Sequence, residues 1–173
     1  MSDLTVILIF GGALALLLLV LLLRRGAAPA AEEVPDGAIL IDGSNVMHWG
    51  GEPDVRALVR VIASLEEEGR VPFVCFDANV GYKLFGRFMG SRDMGRAIGV
   101  PEARVFVVDK GVVADGVLLD LAAEHGLEVV TNDRFRDWAG QHPWVKDHRR
   151  FRRGRWQDGS VIWGDARGKG RRR

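Results

Sequence analysis

The sequence predicts an α/β domain with a central, mostly parallel sheet flanked by helices. From residue 36 onward, apolar runs of strand length alternate with segments of helical periodicity, which is the pattern of parallel strands joined by helical crossovers. The run at 71–76 (VPFVCF) is apolar on both faces, as strands of parallel sheets usually are. It contains Cys75, the single cysteine of the 173 residues, which we interpret as a small core residue.

Turn residues and helical spacing divide this domain into strand–helix units. The helix before Gly69, for example, is predicted from Val55, Leu58, Val59 and Ile62, which recur on one helical face. In chain order, the predicted elements are a strand at 38–42, a helix at 54–69, a strand at 71–77, an irregular helical region at 81–99, a strand at 104–109, a helix at 115–125, a strand at 127–133, a short turn or helix at 134–139 and a final strand that includes Trp156 and Val161, Ile162 and Trp163.

A membrane anchor is predicted before this domain. Residues 4–23 carry no charge, and about 20 apolar residues are needed for a helix to cross a bilayer. A cleaved signal peptide usually has a shorter apolar region preceded by positive charge, whereas here Asp3 precedes the run and Arg24-Arg25 follow it. This arrangement predicts a single-pass protein with its C-terminal domain in the cytoplasm. Cleavage within the Ala/Pro-rich residues 27–31 is the alternative, and residues 24–36 are interpreted as a linker.

The charge is distributed unevenly along the chain. The formal net charge is +1, but residues 143–173 contain eleven Lys and Arg against three Asp, so the preceding part is acidic. Such asymmetry favours a polyanionic partner. We divide the chain after the linker into a globular domain at 37–163 and a basic tail at 164–173.

Carboxylates follow the predicted strands at one edge of the sheet. Asp42, Asp77 and Asp133 end strands, and Asp115 begins a helix. Any one of them is explained by capping or a turn, but ligands of parallel α/β sheets bind at the carboxyl ends of strands. Clustered carboxylates raise one another's pKa unless a cation neutralises them. The pattern therefore predicts a site for a hard divalent cation such as Mg²⁺, which prefers oxygen ligands.

Three segments together resemble a known family. Residues 41–46 (IDGSNV) and 129–138 (VVTNDRFRDW) resemble the two signature segments of the NYN-type, PIN-like ribonucleases, and 114–122 (ADGVLLDLA) resembles the acidic helix start between them. The similarity is greatest to the regnase branch, the endoribonuclease domain found beside CCCH zinc fingers. It implies a PIN-like three-layer α/β fold and hydrolysis of RNA phosphodiester bonds.

The resemblance also implies roles for individual residues. Asp42, Asp115 and Asp133 would be the catalytic residues and the ligands of Mg²⁺, with Mn²⁺ as an alternative ion. Asp77, at another strand end, is a candidate compensating ligand. We assign substrate binding to Ser44, Asn45 and Asn132, which supply polar groups beside these carboxylates.

The chain departs from the regnase pattern at the helix start. Regnase-type enzymes carry adjacent aspartates there, but the first position of this chain is Ala114. One negative charge is therefore missing. This leaves a second hypothesis: a catalytically weak PIN-like module that binds RNA or a protein partner at the membrane. A phosphoacceptor receiver domain also uses strand-end aspartates, but the Gly-Ser-Asn turn and the basic tail fit it poorly.

Basic residues near the C-terminus form the predicted RNA-binding segment. Arg149, Arg150, Arg152 and Arg153 are interleaved with aromatic residues, and such segments bind phosphates and stack on unpaired bases. Anionic lipid is the competing partner, because basic residues beside a membrane anchor are attracted to acidic headgroups. The expected partners are thus RNA, a membrane through residues 4–23, anionic lipid at the tail and a second copy in a homo-oligomer.

Overall fold

The computed structural model of the chain describes residues 34–164. Its strands are β1 (Ala38–Asp42), β2 (Val71–Phe76), β3 (Val105–Val107), β4 (Glu128–Val130), β5 (Phe151–Arg152), β6 (Gly154–Gln157) and β7 (Ser160–Trp163). Its α-helices are α1 (Gly43–Val46), α2 (Val55–Glu67), α3 (Val80–Phe85), α4 (Ser91–Ile98) and α5 (Ala114–Glu124). Short 3₁₀ turns lie at Glu102–Arg104, Arg136–Trp138, Pro143–Lys146 and His148–Arg150.

The first five strands form one parallel sheet in the order β3-β2-β1-β4-β5. The predicted α/β class with a central parallel sheet is confirmed. The crossovers run outward from β1 in one direction to β2 and β3, and in the other to β4 and β5. Ligands of open parallel sheets bind where the strand order reverses in this way, so the crevice between the carboxyl ends of β1 and β4 is the expected binding position.

Apolar side chains cover both faces of the sheet, which makes three layers. Every residue of β1 is buried. Ile39 and Ile41 pack into the core beneath α2 and α4, whereas Leu40 packs into the core beneath α5. Cys75 is buried in the α5 core, as its apolar surroundings in the sequence predicted. The alternation of side chains along β1 thus connects both cores and fixes the strand end at Asp42.

Two predicted strands are longer than the strands observed. The third covers Val105–Val107 because Arg104 belongs to a 3₁₀ turn, and the fourth covers Glu128–Val130. The backbone N–H of Thr131 still donates to the carbonyl of Arg152 in β5, and the chain then turns away from the sheet where Thr131 Oγ1 accepts the N–H of Asp133. Side chains of this type compete with strand pairing in that manner.

The C-terminal part of the domain differs most from the predicted elements. The final strand is an antiparallel hairpin of β6 and β7, which pair with each other and not with the main sheet. Asp158-Gly159 form its two-residue turn, a sequence common in such hairpins. The short edge strand β5 was not predicted.

Several predictions concern residues outside the described range. The membrane helix at 4–23, most of the linker at 24–36 and all but the first residue of the tail at 164–173 lie there. Within residues 34–164, every helix is too short or too polar to span a bilayer.

Candidate active site

The predicted carboxylates converge at the carboxyl edge of the sheet. Asp42 ends β1, Asp77 directly follows β2, and Asp133 follows β4 by three residues. Asp115 lies in the first turn of α5. Electrostatic repulsion links Asp115 to each of the other three and Asp42 to Asp133. We call these four residues the acidic cluster.

Asp42 is the buried centre of the acidic cluster. It is only 7% exposed. Its Oδ1 accepts the backbone N–H of Asn45 at 3.0 Å, and its Oδ2 accepts the hydroxyl of Thr131 at 2.8 Å. Burial raises the pKa of Asp42 from 3.8 to about 7; the two hydrogen bonds oppose this rise, and repulsion from Asp115 and Asp133 adds to it. Without a cation, this carboxyl is poised between its neutral and charged forms near neutral pH.

Thr131 joins the two strand-end aspartates. Its buried hydroxyl donates to Asp42 and accepts the backbone N–H of Asp133 at 3.0 Å. Asp133 Oδ1 in turn accepts the N–H of Phe135 at 2.6 Å, which orients the carboxylate and leaves Oδ2 unengaged by described residues. One hydroxyl therefore connects the carboxylate of Asp42 to the backbone of Asp133.

The turn after β1 is helical, not an open loop. Asp42 caps α1 through the hydrogen bond from Asn45. A Cβ on Gly43 would lie 2.2 Å from the ring of Phe76, so only glycine lets this turn pack so closely on β2. The hydroxyl of Ser44 accepts the N–H of Asp77 at 2.9 Å. Ser44 thus ties the end of β1 to the end of β2.

Asn45 ties α1 to the loop after β4. Its Oδ1 accepts the indole N–H of Trp49 at 3.0 Å and the backbone N–H of Asn132 at 2.9 Å. The side chain of Asn132 continues the connection, because its amide donates to the carbonyl of Gly154 at 2.7 Å. The predicted substrate-binding residues Asn45 and Asn132 therefore position the loop that carries Asp133.

Asp115 lies beside an aromatic residue that the sequence did not single out. Burial and repulsion from Asp133 and Asp77 raise the pKa of Asp115, and the nearby indole of Trp138 opposes this rise. Gly116 allows the approach, since a Cβ there would lie 2.8 Å from the Trp138 ring. Ala114, at the family's first acidic position, is buried in the α5 core.

Repulsion also reaches the core beneath the acidic cluster. Burial raises the pKa of the Cys75 thiol to about 12, and the charges of Asp42, Asp77 and Asp115 add to the effect. The thiol is thus protonated and unreactive at neutral pH. The negative charge of the acidic cluster thus affects a buried residue beneath it, and such an excess of negative charge favours the binding of a cation at the cluster.

The residues suit a divalent cation held partly by water. The donors are hard carboxylate oxygens that repel one another, which is the chemistry Mg²⁺ and Mn²⁺ prefer. Among the described residues, no three His, Cys, Asp or Glu side chains are arranged to hold a metal ion. Mg²⁺ commonly binds through one or two carboxylates with water and substrate phosphate as the remaining ligands. The site fits an ion of that kind and not an all-protein cage.

Arg150 already has internal partners. Its Nη2 donates to the carbonyls of Ala122 and Leu127 at 2.8 and 3.1 Å, and its guanidinium lies 4.2 Å from the ring centre of Trp144. These carbonyls lie at and after the C-terminal end of α5, where a cation stabilises unpaired acceptors. The structure thus gives this predicted RNA-binding residue a place in the domain's own packing.

Arg152 is engaged in a similar way. Its Nη1 and Nη2 donate to the two carboxylate oxygens of Glu68 at 2.5 and 2.6 Å. Its guanidinium also lies 3.9 Å from the ring centre of Trp163. Arg152 therefore attaches the C-terminal hairpin to the end of α2.

Arg149 and Arg153 are differently placed. Arg149 is exposed and pairs with the neighbouring Asp147 at 2.9 Å. Arg153 donates to the backbone carbonyls of Asn132 and Asp133 at 2.8 and 3.2 Å. Of the four predicted arginines, Arg153 is thus the one in contact with the loop of the acidic cluster. RNA binding by all four stays a prediction.

Thr131 and Trp138 are the site residues that sequence reasoning missed. Thr131 lies between an apolar strand and the Asn-Asp pair, a place where a hydroxyl can cap the following turn, so its position carried a usable signal. Trp138 lies five residues after Asp133 and gave none, because its contact with Asp115 depends on how two separate elements pack.

Comparisons with known proteins identify a matching family. A family model described as "Zc3h12a-like Ribonuclease NYN domain" matches residues 36–157. No curated protein matches the chain.

Two solved structures are similar in fold. Both are protein-only RNase P 2 (PRORP2) of Arabidopsis thaliana, the nuclear enzyme. One is 18% identical with a TM-score of 0.60, covering 90% of this chain and 35% of that structure. The other is 17% identical with a TM-score of 0.55, covering 75% of this chain and 29% of that structure. The chain therefore spans about a third of their length, and the likeness concerns the fold.

Proposed function

The chain belongs to the Zc3h12a-like ribonuclease NYN family, and we propose that it is a membrane-anchored, divalent-metal-dependent endoribonuclease. Asp42, Asp115 and Asp133 are its proposed catalytic residues and metal ligands, one or two of them binding the ion directly and the others through water, with Asp77 as a supporting ligand. The single observation that carries the proposal is the pair of hydrogen bonds through Thr131, which link the carboxylate of Asp42 to the backbone of Asp133 at the switch point of the sheet. A merely capping aspartate would not need a buried hydroxyl bridge to a second aspartate.

The chain's own residues divide the work in this proposal. Asp42 is buried and fixed on both oxygens, so it provides a carboxyl group at a set position whose charged form a bound cation would stabilise. Asp133 is exposed and keeps Oδ2 without a described partner, so it can meet a ligand from solvent. Asp115 lies in the first turn of α5 with the indole of Trp138 nearby.

A cation here has a defined chemical task. When bound, a divalent ion supplies positive charge that stabilises the negative charge developing on the phosphate and helps to activate water for attack. The acidic cluster alone repels an RNA phosphate, so without the ion the substrate and the carboxylates disfavour each other. Cleavage is therefore expected to require Mg²⁺ or Mn²⁺.

The test compares two aspartates on one helix. The full chain in non-ionic detergent is incubated with single-stranded RNA in Mg²⁺ or in EDTA, next to Asp115→Asn and Asp120→Asn. Asp120 is exposed on α5 and outside the acidic cluster. We expect cleavage by the parent and Asp120→Asn in Mg²⁺ only, and none by Asp115→Asn. Cleavage in EDTA, or equal cleavage by both variants, contradicts the proposal.

One observation favours a second candidate, a catalytically weak module that binds RNA. Ala114 is buried at the start of α5 and supplies no charge, where regnase-type enzymes have a second aspartate. RNA binding by the full chain without metal-dependent cleavage in the same assay would support this candidate over the nuclease.

The membrane part of the proposal rests on the sequence. Residues 4–23 are uncharged and are followed by Arg24-Arg25, which supports a single span with the domain in the cytoplasm. The test is extraction of cell membranes with alkaline carbonate, followed by protease treatment of sealed inverted vesicles. The proposal requires that the chain stays in the membrane and that the protease removes the domain. Release by carbonate contradicts it.

A further inference from the structure

A large basic cleft lies beside the acidic cluster. It has a volume of about 1000 Å³ and is bounded by the edge strand β5, the 3₁₀ turns before it and the end of β7. Its basic lining residues are Arg70, Arg134, Arg136, Lys146, His148, Arg149, Arg152 and Arg153, and the one acidic residue among the described lining is Glu128. Its charge is therefore opposite in sign to that of the neighbouring site.

Only part of this positive charge is used within the domain. Arg70 pairs with Glu128 at 3.0 Å and Arg152 with Glu68. In contrast, Arg134, Arg136 and Lys146 are exposed and make no ion pair with any residue of the described range. The cleft thus keeps at least three cations available for an external anion.

The cleft is physically joined to the acidic cluster. Arg134 directly follows Asp133 in the chain, and Arg153 donates to the carbonyl of Asp133. Burial lowers the pKa of Arg153, and repulsion from the nearby Arg134 lowers it further. An anion between two such guanidinium groups relieves their repulsion, as a cation does for carboxylates.

We propose that this cleft binds the backbone phosphates of the RNA strand next to the cleavage site, with Arg134, Arg136 and Lys146 as the residues that contact phosphate. The inference rests on the proposed function, because it takes RNA to be the substrate of the acidic cluster. A strand whose scissile phosphate lies at that cluster must continue past its border, and the basic cleft is the adjoining surface that attracts it. The cleft is concave, which suits a strand better than the flat surface of a bilayer.

The test measures RNA binding without cleavage. The full chain in non-ionic detergent and EDTA is titrated with a fluorescent single-stranded oligouridine at a series of salt concentrations. Arg134→Gln/Arg136→Gln is compared with Arg60→Gln/Arg96→Gln, which removes two exposed arginines of α2 and α4 outside the cleft. Thermal unfolding checks that both variants fold, and Lys146→Gln provides an independent single change in the cleft.

The expected result is specific to the cleft. For a single strand, the slope of log K against log salt falls by about 0.7 for each phosphate that the protein no longer neutralises. The cleft variant should therefore have a slope smaller by about 1.4 and bind roughly tenfold more weakly. The variant of α2 and α4 should keep the parent's slope. Equal slopes and affinities for the two double variants, or for Lys146→Gln and the parent, overturn the proposal.

Two further outcomes separate the competing explanations. If the cleft variant loses binding to phosphatidylserine vesicles but binds RNA as the parent does, the cleft is a lipid site and the proposal is wrong. If RNA binds through the cleft but the parent never cleaves it in Mg²⁺, the cleft assignment holds and the proposed nuclease activity fails. If the parent cleaves RNA in Mg²⁺ but the cleft variants bind RNA as the parent does, the cleft assignment is wrong and the proposed nuclease activity stands.

Discussion

The acidic cluster and the basic cleft adjoin each other but are built in different ways. Asp42 is buried with both oxygens hydrogen-bonded, whereas Arg134, Arg136 and Lys146 are exposed on the cleft surface. Chemistry at a phosphate needs charges in fixed positions, while attraction of a polyanion needs only enough charge nearby. Single substitutions in the acidic cluster should therefore lower cleavage activity strongly. Substitutions in the cleft should weaken RNA binding by smaller steps that depend on the salt concentration.

The largest expected effect comes from the buried charge of Asp42. Its pKa of about 7 lies above the ordinary 3.8, so the folded state binds a proton that stabilises it at low pH, and this stability is lost as pH rises from about 4 through 7. At about 1.4 kcal/mol per pKa unit, the loss approaches about 4 kcal/mol at pH 8. Asp42→Asn resembles the neutral form at every pH, so its melting temperature should be close to that of the parent near pH 4 and clearly higher than that of the parent at pH 8.

Mg²⁺ sharpens this prediction. Because a bound cation stabilises the charged carboxylate, adding Mg²⁺ at pH 8 should raise the melting temperature of the parent but leave Asp42→Asn nearly unchanged. Thermal unfolding in EDTA and in Mg²⁺ at both pH values measures both effects. If the difference in melting temperature between the parent and the variant does not change with pH, the pKa of Asp42 is not raised in the folded state.

Thr131 provides the next largest effect. Thr131→Val removes the hydroxyl that connects the carboxylate of Asp42 to the backbone of Asp133 while keeping the side-chain shape. Removal of such a supporting partner costs roughly 10–100-fold in metal affinity or activity, and we expect that decrease in kcat. Thr131→Ser keeps the hydroxyl and should retain most activity in the same RNA cleavage assay. If the Val and Ser variants have the same activity, the link through Thr131 between the carboxylate of Asp42 and the backbone of Asp133 has no catalytic importance.

Two arginines of the predicted RNA-binding segment should differ in their contribution to stability. Arg152→Gln removes the pair with Glu68 and the stacking on Trp163, and partly exposed interactions of these kinds contribute about 1–2 kcal/mol together. Arg149→Gln removes only an exposed pair with Asp147. Chemical denaturation should show a lower unfolding free energy for Arg152→Gln alone; equal values would place both arginines in the same structural role.

The smallest expected effect is that of one exposed cation in the cleft. Lys146→Gln should lower the salt slope of RNA binding by about 0.7, with no change in the melting temperature, because Lys146 has no described ion-pair partner. The salt titration measures this directly. A fall in stability without a change in slope would show that Lys146 supports the fold and does not contact phosphate.

The sequence predicted the acidic cluster better than the cleft, for a physical reason. Asp42 is the last residue of a strand whose five residues are all buried, so the hydrophobic run before it places it at the sheet edge. Strand β4 places Asp133, three residues after its end, near the same edge. The bridge through Thr131 and the contact of Trp138 with Asp115 depend on how separate elements pack, and no local pattern encodes them.

The roles of the individual arginines in the basic segment could not be predicted from the sequence. Arg150, Arg152 and Arg153 lie within four residues and look equivalent in the sequence. In the folded domain, however, Arg150 contacts the end of a helix, Arg152 pairs with Glu68, and Arg153 contacts the loop of the acidic cluster. Strand β5, with only two residues, is too short to show a period, and without it the cleft could not be foreseen.

The most direct test of the central claim is a steady-state comparison of RNA cleavage by two variants of the full chain in Mg²⁺. For Asp133→Asn, we predict that kcat falls by more than the roughly 100-fold expected for removal of a residue that only supports a metal ligand, with KM near that of the parent. For Arg136→Gln/Lys146→Gln, we predict a raised KM that rises further with salt and an unchanged kcat. Cleavage by Asp133→Asn at the parent's kcat would contradict the account.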